Sequence, residues 1–557
     1  MSLLLKARAF GTGRRWAAWQ ELTSRPSEIQ NRVLLDVIRR NDATLFGRDH
    51  RFDTIDSLTD YRKQVQIGDY ERLRAYVERA ANGEANALTS GPVLMFTLTS
   101  GSTGKPKLIP ITESARDNHR LLTRLWYYRA WMDHPRCLGG KLLGIVSPAA
   151  EGKTPGGIAV GAASGLIYRS SPHWVRNAFV VPRAVSEIKD FDAKYYVIMR
   201  LALEHEISFL ATPNPSTILK LVESADRCKD EMIKDIRDGT ISGRWDLAAS
   251  IRSRLLSGVA KNRARARELE TFATRQGTLR PREYWPCLQL IGCWKGGTVG
   301  IRLKAFGRWF AEDTPVRDLG YMASEAQMTL PVSDVGSAGI LAIGANFYEF
   351  IPEQEIGSAH PTALTCAELD EGQSYYIVLT TPGGLYRYDI NDVVRVSGFY
   401  NRTPLIEFVR KGRDMTNITG EKVHVNQVIE AMEQAQGAAG VTVQHYRAFA
   451  DVESSRYAFL VELDGTVAPK ETLSSLLDEL DLCLCGLNIE YAQKRASRRL
   501  GAPVLWIMKP GWFDRQASTV LRHAGRDIQF KAQMLSAAPE DASEALLIIE
   551  KTSKEAK

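Results

Sequence analysis

The chain alternates between two hydrophobic periods. Apolar runs at 93–96, 142–146, 207–211, 288–291, 377–380, 393–396, 405–409, 457–461 and 504–508 have strand length and are bounded by turn residues. Elsewhere apolar positions recur at helical spacing, as in Ile29, Val33, Val37 and Ile38, in Leu121, Leu125, Tyr128 and Met132, and in Leu473, Leu476, Leu477 and Leu480. Helices are also predicted over 61–82, from Ile218 behind the cap Ser216, within the arginine-rich stretch 252–267, and over 427–435. Strand–helix alternation predicts α/β layering in the first half, followed by a β-rich stretch and then a small α+β domain. A charged turn, Lys411-Gly412-Arg413-Asp414, separates the last two and is the expected hinge. The expected organisation is a large domain over 1–410, a small domain over 415–535 and a frayed tail over 536–557.

The strongest chemical signal comes directly after the run at 93–96. It reads Thr97-Leu98-Thr99-Ser100-Gly101-Ser102-Thr103-Gly104-Lys105-Pro106-Lys107. Small residues let backbone N–H groups approach an anion, the hydroxyls add donors, and Lys105 and Lys107 add charge, so the loop suits phosphate. It is not a Walker A loop, because Thr99 stands where that motif needs Gly and Pro106 where it needs Ser or Thr.

With this loop the chain resembles the adenylate-forming superfamily. Four later segments narrow the resemblance to the Gretchen Hagen three family of acyl acid amido synthetases. They are Gly292-Cys293-Trp294-Lys295-Gly296-Gly297, Arg317-Asp318-Leu319-Gly320-Tyr321-Met322-Ala323-Ser324-Glu325, Phe347-Tyr348-Glu349-Phe350-Ile351-Pro352 and Gly384-Leu385-Tyr386-Arg387-Tyr388. The resemblance, taken as that of a bacterial-type member, implies a large adenylating domain of layered sheets and helices and a small mobile α+β C-terminal domain. It also implies ATP and Mg²⁺, a small carboxylic acid, and an amine or amino acid acceptor. Thr99, Ser100, Gly101, Ser102, Thr103, Gly104 and Lys105 would then hold the β- and γ-phosphates. Tyr321 would lie against adenine, Ala323 and Ser324 near the α-phosphate, and Glu325 on the metal.

Asp392 matches the family aspartate that accepts the ribose hydroxyls, but Asn391 replaces the usual preceding Gly, which leaves Asp389 as a second candidate. Lys531, in Gly525-Arg526-Asp527-Ile528-Gln529-Phe530-Lys531, matches the mobile lysine, although the prolines usual after it are replaced by Ala532-Gln533. A coenzyme A or carrier-thiol ligase and a non-catalytic nucleotide-binding relative are the alternatives.

The remaining features change this picture little. Trp126, Tyr127 and Trp131 either line an acyl pocket or pack the core, and His173 either faces substrate or is structural. The net charge of +7 suits an anionic substrate but equally reflects arginine usage, and nucleic-acid binding gains no support because aromatic residues do not interleave the arginines of 252–267. Seven irregularly spaced cysteines imply a reducing cytoplasm rather than a disulfide framework. Lys6, Arg8, Arg14 and Arg15 give the N-terminus the charge of a transit peptide, but an amphipathic first helix is expected there, and no apolar run is long enough to span a bilayer.

Overall fold

The computed structural model describes residues 3–99, 107–145, 152–161, 178–358, 360–412, 415–416, 418, 421, 423–451, 453–465, 467–496, 500–524, 534–536 and 543–550. They form two compact units, Met1–Val409 and Arg410–Lys557.

In the first unit β1 (Val93–Thr99) pairs antiparallel with β2 (Lys107–Thr112), with Thr99 opposite Lys107 and Val93 opposite Thr112. β5 (Ala159–Val160) adds to β1 in parallel, and β4 (Gly152–Lys153) pairs with β5. A second sheet is wholly parallel, in the order β3 (Lys141–Gly144), β6 (Ile207–Ala211), β7 (Leu290–Gly292) and β8 (Val316–Arg317). Parallel strands must be covered on both faces, which is why the interiors of these runs are mostly apolar rather than alternating; Ser208 of β6 is the exception, buried and donating to the Cys137 carbonyl at 2.8 Å. Leu143, Leu210 and Ile291 are fully buried in one core with Tyr196 and Ile198 of the helix Phe191–Ala202 and Ile218 of the helix Pro215–Arg227.

The third sheet orders β11 (Phe347–Pro352), β12 (Ser374–Thr380), β13 (Tyr388–Tyr400), β14 (Thr403–Lys411), β10 (Gly339–Leu341) and β9 (Thr329–Leu330). Two helices pack against its strands. In α1 (Pro26–Arg40), Gln30 is buried, donates to the carbonyls of Ile343 and Asn346 at 2.6 and 2.7 Å, and accepts from Tyr348 N–H at 2.9 Å, so a polar side chain fixes this helix to β11. In α2 (Glu113–Asp133) the buried residues are Leu122, Leu125, Trp126 and Ala130. The expected stripe from Leu121 to Met132 is therefore rotated, and Met132 is 48% exposed. Leu122 and Trp126 turn inward, which moves the whole face by about one position.

The second unit is a five-stranded sheet, in the order β20 (Leu535–Ser536), β17 (Val443–Asp451), β18 (Arg456–Leu463), β19 (Val504–Met508) and β21 (Ala545–Glu550). A short pair, β15 (Met415–Thr416) with β16 (Val423–His424), precedes it. Helices Val425–Ala439 and Lys470–Leu487 supply Met432, Leu473, Leu476 and Leu480 to one core with Phe459, Val461 and Leu505, and Cys483 and Cys485 pack against it. β21 corrects the expected tail. Leu547 and Ile549 turn onto this core while Leu546 and Ile548 face out, a period of two that is enough to add an edge strand to β19.

Among the described residues no helix is long and apolar enough to cross a membrane, and no group of three or more His, Cys, Asp or Glu side chains could hold a metal ion.

Candidate active site

The site forms where β13 departs from regular pairing. Tyr376 of β12 faces Val393 and Val378 faces Asp389, so one residue of β12 is opposed by three of β13. The bulge is built by Asn391, whose φ of +56° is left-handed, and is closed by Asn391 N–H donating to Asp389 Oδ1 at 2.7 Å. Asn does here what Gly would do more readily, and the two candidate aspartates separate: Asp389 closes the turn, while Asp392 is 2% exposed with Oδ2 accepting from the Tyr321 hydroxyl at 2.6 Å.

Tyr321 is held from several sides. Its N–H donates to Thr329 Oγ1 at 2.8 Å, its carbonyl accepts from Met328 N–H at 2.9 Å, and its ring stacks on Phe408 at 5.4 Å. Gly320 before it has φ +97°, and a Cβ there would lie 2.6 Å from the Thr329 carbonyl, so this approach requires glycine. Beyond Tyr321, Met322 bridges to Gln327 and Ala323 N–H donates to the Ala326 carbonyl, which makes Ser324-Glu325 the tip of a tight turn rather than a helix start. The Tyr388 hydroxyl donates to Glu325 Oε1 at 3.4 Å. Burial, and then the carboxylates of Asp392 and Glu325, hold the phenols of Tyr321 and Tyr388 far above the ordinary tyrosine range, so both keep their protons and act as donors.

Two buried networks support this corner. Asp318, 3% exposed, accepts from Lys295 N–H and Gly320 N–H, each at 2.6 Å, and its carbonyl accepts from Trp126 Nε1–H at 2.8 Å. Burial pushes its carboxyl up to about 6 against those donors. Arg317 beside it bonds Asp334 Oδ1 at 2.6 Å and Asp133 Oδ2 at 2.8 Å, tying the end of α2 to the same corner. In the second network Glu349, 1% exposed, takes Arg387 Nε–H at 2.8 Å and Nη2–H at 3.1 Å, and Arg62 Nε–H at 2.8 Å. Arg387 has φ +44° and also donates to the Val65 carbonyl at 2.8 Å, so the residue before Tyr388 is fixed by charge as well as by backbone.

The structure therefore brings together Tyr321, Ala323, Ser324, Glu325 and Asp392. Thr99 ends β1; Ser100, Gly101, Ser102, Thr103, Gly104, Lys105, His173 and Lys531 lie outside the described residues. Trp126 is 3% exposed and is used in packing against Phe209 and in its bond to Asp318, and Trp131 contacts Tyr128 in the cluster that holds Trp16 and Trp19. Tyr127, half-buried, meets Phe209 edge-on at 5.8 Å. His119, two turns earlier on α2, is a residue that sequence reasoning missed. Its imidazole has no hydrogen-bond partner among the described residues, and burial pushes it down to about 4, so it is neutral. Glu349 was missed too, although an acid in an otherwise apolar strand run is a signal that a buried cation must answer it.

Comparison with known proteins places this geometry. Over 96% of both chains the fold superposes on that of the solved AtGH3.15 acyl acid amido synthetase in complex with 2,4-DB, with a TM-score of 0.84 at 22% identity. It also superposes, with a TM-score of 0.52 at 12% identity, on 2-hydroxyisobutyryl-CoA ligase in the postadenylation state, over 93% of this chain and 91% of that one. The architecture is that of the adenylate-forming enzymes. Residues 16–316 match the GH3 family N-terminal domain, 339–411 the GH3 family central domain and 426–540 the GH3 family C-terminal domain, and the chain belongs to the GH3 family. Curated relatives include the indole-3-acetic acid-amido synthetase GH3.2 of Arabidopsis thaliana, 24% identical over 87% of this chain and 93% of that protein. Another is the jasmonoyl–L-amino acid synthetase JAR4 of Nicotiana attenuata, 24% identical over 89% of each. These are plant proteins and give no support to the bacterial-type expectation.

Proposed function

We propose that the chain is an AMP-forming acid–amine ligase that adenylates a small hydrophobic or aromatic carboxylic acid and passes the acyl group to an amino acid. The observation that carries this reading is the Asp392 carboxylate, set on the Asn391 bulge, buried, and met by the Tyr321 hydroxyl in a chain that matches the GH3 family along most of its length.

A carboxylate and an amine form only a salt, because oxide is too poor a leaving group. The acid oxygen instead attacks the α-phosphorus of ATP, a P–O bond forms, the bond to pyrophosphate breaks, and an acyl-AMP mixed anhydride results. The amine then attacks the acyl carbon, AMP leaves with the former carboxylate oxygen, and the amine gives up a proton. Bringing one anion against a polyanion requires charge and oriented donors rather than a nucleophile of the enzyme's own.

In this reading Asp392 accepts the ribose hydroxyls, for which a carboxylate is the matching two-oxygen acceptor, and the Tyr321 hydroxyl turns from Asp392 as they arrive. The Tyr321 ring, backed by Phe408, is the adenine platform. Glu325, aimed by Tyr388, is an oxygen donor that fits Mg²⁺, which when bound would offset phosphate charge. Thr99 to Lys105 hold the β- and γ-phosphates, Ala323 and Ser324 lie near the α-phosphate, and Lys531 neutralises charge during adenylation, delivered by a turn about 411–414. The acid lies along α2, where the half-buried Tyr127 and the neutral His119 combine an apolar wall with one uncharged hydrogen-bonding group. A reducing cytoplasm suits the seven free cysteines.

The test is product analysis. Protein, MgATP and a panel of hydrophobic and aromatic acids are incubated with amino acids or coenzyme A, and products are read by mass spectrometry. An N-acyl amino acid together with AMP is the expected result; an acyl-CoA in place of the amide, or ADP in place of AMP, would overturn it.

A further inference from the structure

A cavity of about 350 Å³ lies at the end of the β1–β2 pair where Val93 faces Thr112, the end away from the Thr99–Lys107 pair. Pro92 and Thr112 line it, and Thr112 faces Val93 six residues from the Thr99–Lys107 pair, a separation of about 20 Å along the strand. It is therefore set apart from the Thr99–Lys107 pair, and none of Tyr321, Ala323, Ser324, Glu325 and Asp392 lines it. Its volume falls within the range of small-molecule pockets, roughly 300–1,000 Å³.

One face of α1 forms a wall. Val33 and Val37 give an apolar floor, and Asp36 and Arg40 bring opposite charges one helical turn apart. Neither charge forms an ion pair or a side-chain hydrogen bond among the described residues, although their spacing favours pairing with each other. Glu113, which also lines the cavity, is already taken by Arg116 at 2.8 Å. Asp36 and Arg40 are both solvent-exposed, and an apolar floor beside a cation and an anion that a ligand can reach matches one class of small molecule, a zwitterion with an apolar side chain.

We propose that this cavity is a binding site for an apolar α-amino acid, with its carboxylate on Arg40, its ammonium on Asp36 and its side chain over Val33 and Val37. Occupancy reaches the nucleotide site through Pro382. That residue lines the cavity, and its carbonyl accepts from Thr112 Oγ1 at 3.1 Å. It also belongs to the turn that leads into Tyr386 and β13, where Gly384 at φ +92° packs so closely on Leu88 that an added Cβ would lie 2.9 Å from its Cβ. The amino acid thus acts as a regulator of nucleotide use; this last step alone rests on the function proposed above.

The test is calorimetric titration of the full-length protein, without ATP, with L-leucine, L-valine and L-phenylalanine. At least one is expected to bind with a Kd of about 1 mM or tighter. Binding is expected to weaken at least tenfold in Arg40→Ala and in Ser114→Trp, which fills the cavity from its rim, with both variants melting within about 2 °C of the wild type. Leucinamide, which lacks the carboxylate, is expected to bind at least tenfold more weakly than leucine. No binding by any of the three, equal binding in both variants, or equal binding of leucinamide would overturn the proposal. Because the titration needs no turnover, its outcome is independent of whether the protein adenylates an acid. The regulatory step is read separately, as a change of about twofold or more in the KM for ATP on adding the amino acid, lost in Arg40→Ala.

Discussion

Asp318 and Asp392 are both buried carboxylates within one corner of the first unit, 3% and 2% exposed, yet they are answered differently. Asp318 receives two backbone N–H groups, from Lys295 and Gly320, which the fold fixes in place. Asp392 receives a phenol, which can rotate away and leave its oxygen to a ligand hydroxyl. A carboxylate satisfied by main chain holds structure together, while one satisfied by a rotatable hydroxyl has the freedom to exchange partners that the proposed role requires. The same contrast separates the supporting networks from the turn at Ser324-Glu325, where Tyr388 reaches Glu325 only at 3.4 Å.

The contrast can be broken first at its supports. Glu349→Ala leaves the Arg387 guanidinium buried without a carboxylate, and should cost about 3–5 kcal/mol, read as a fall in the denaturation midpoint of the first unit. Arg62→Ala removes a partner whose side chain is 33% exposed and should cost about 1 kcal/mol or less. If both cost the same, the buried pair is not what holds Arg387.

Asp318 makes a pH prediction. Its carboxyl sits at about 6 against an ordinary value of 3.8, so between those values the unfolded chain has lost this proton while the folded chain keeps it. Acidification through that window therefore favours the fold through this group, and Asp318→Asn lacks the effect. The stability of the wild type relative to Asp318→Asn should increase by up to roughly 3 kcal/mol as the pH falls from about 7 to about 4, read by urea denaturation at several pH values. An advantage that shrinks on acidification would contradict the burial assigned to it.

Asn391 tests the bulge more gently. Asn391→Val forces a β-branched residue to φ +56° and should cost about 1–3 kcal/mol and raise the KM for ATP, whereas Asn391→Gly should cost about 1 kcal/mol or less and leave that KM within about twofold. Equal behaviour of the two would mean that the left-handed conformation is not what presents Asp392.

Much of this was legible in the residues. The strands Ile207–Ala211 and Val504–Met508 coincide with their apolar runs, because parallel or central strands buried on both faces need apolar side chains at nearly every position, Ser208 being the one polar residue among these. The tolerance of Asn391 for a left-handed turn follows from its short polar side chain, and that turn is present. What escaped depends on partners distant in sequence. The face of α2 is set by Phe209, Leu290 and Asp318, so aromatic periodicity alone misplaced the buried stripe and left Trp126 open to a pocket role. Arg62, Glu349 and Arg387 meet across 287 and 38 residues, which no local pattern encodes. His119 looks ordinary on a helix until burial removes its charge. Ala545–Glu550 reads as tail because its flanks are polar, and only the open edge of β19 makes it a strand.

The most direct measurement of the central claim is acid-dependent exchange of labelled pyrophosphate into ATP by wild type and Asp392→Ala. Exchange should depend on a hydrophobic or aromatic acid in the wild type. In Asp392→Ala, kcat/KM for ATP should fall by about 100-fold or more while melting stays within about 3 °C, since in the proposed role Asp392 serves a ligand rather than the fold. Exchange by Asp392→Ala at the wild-type level would contradict the account.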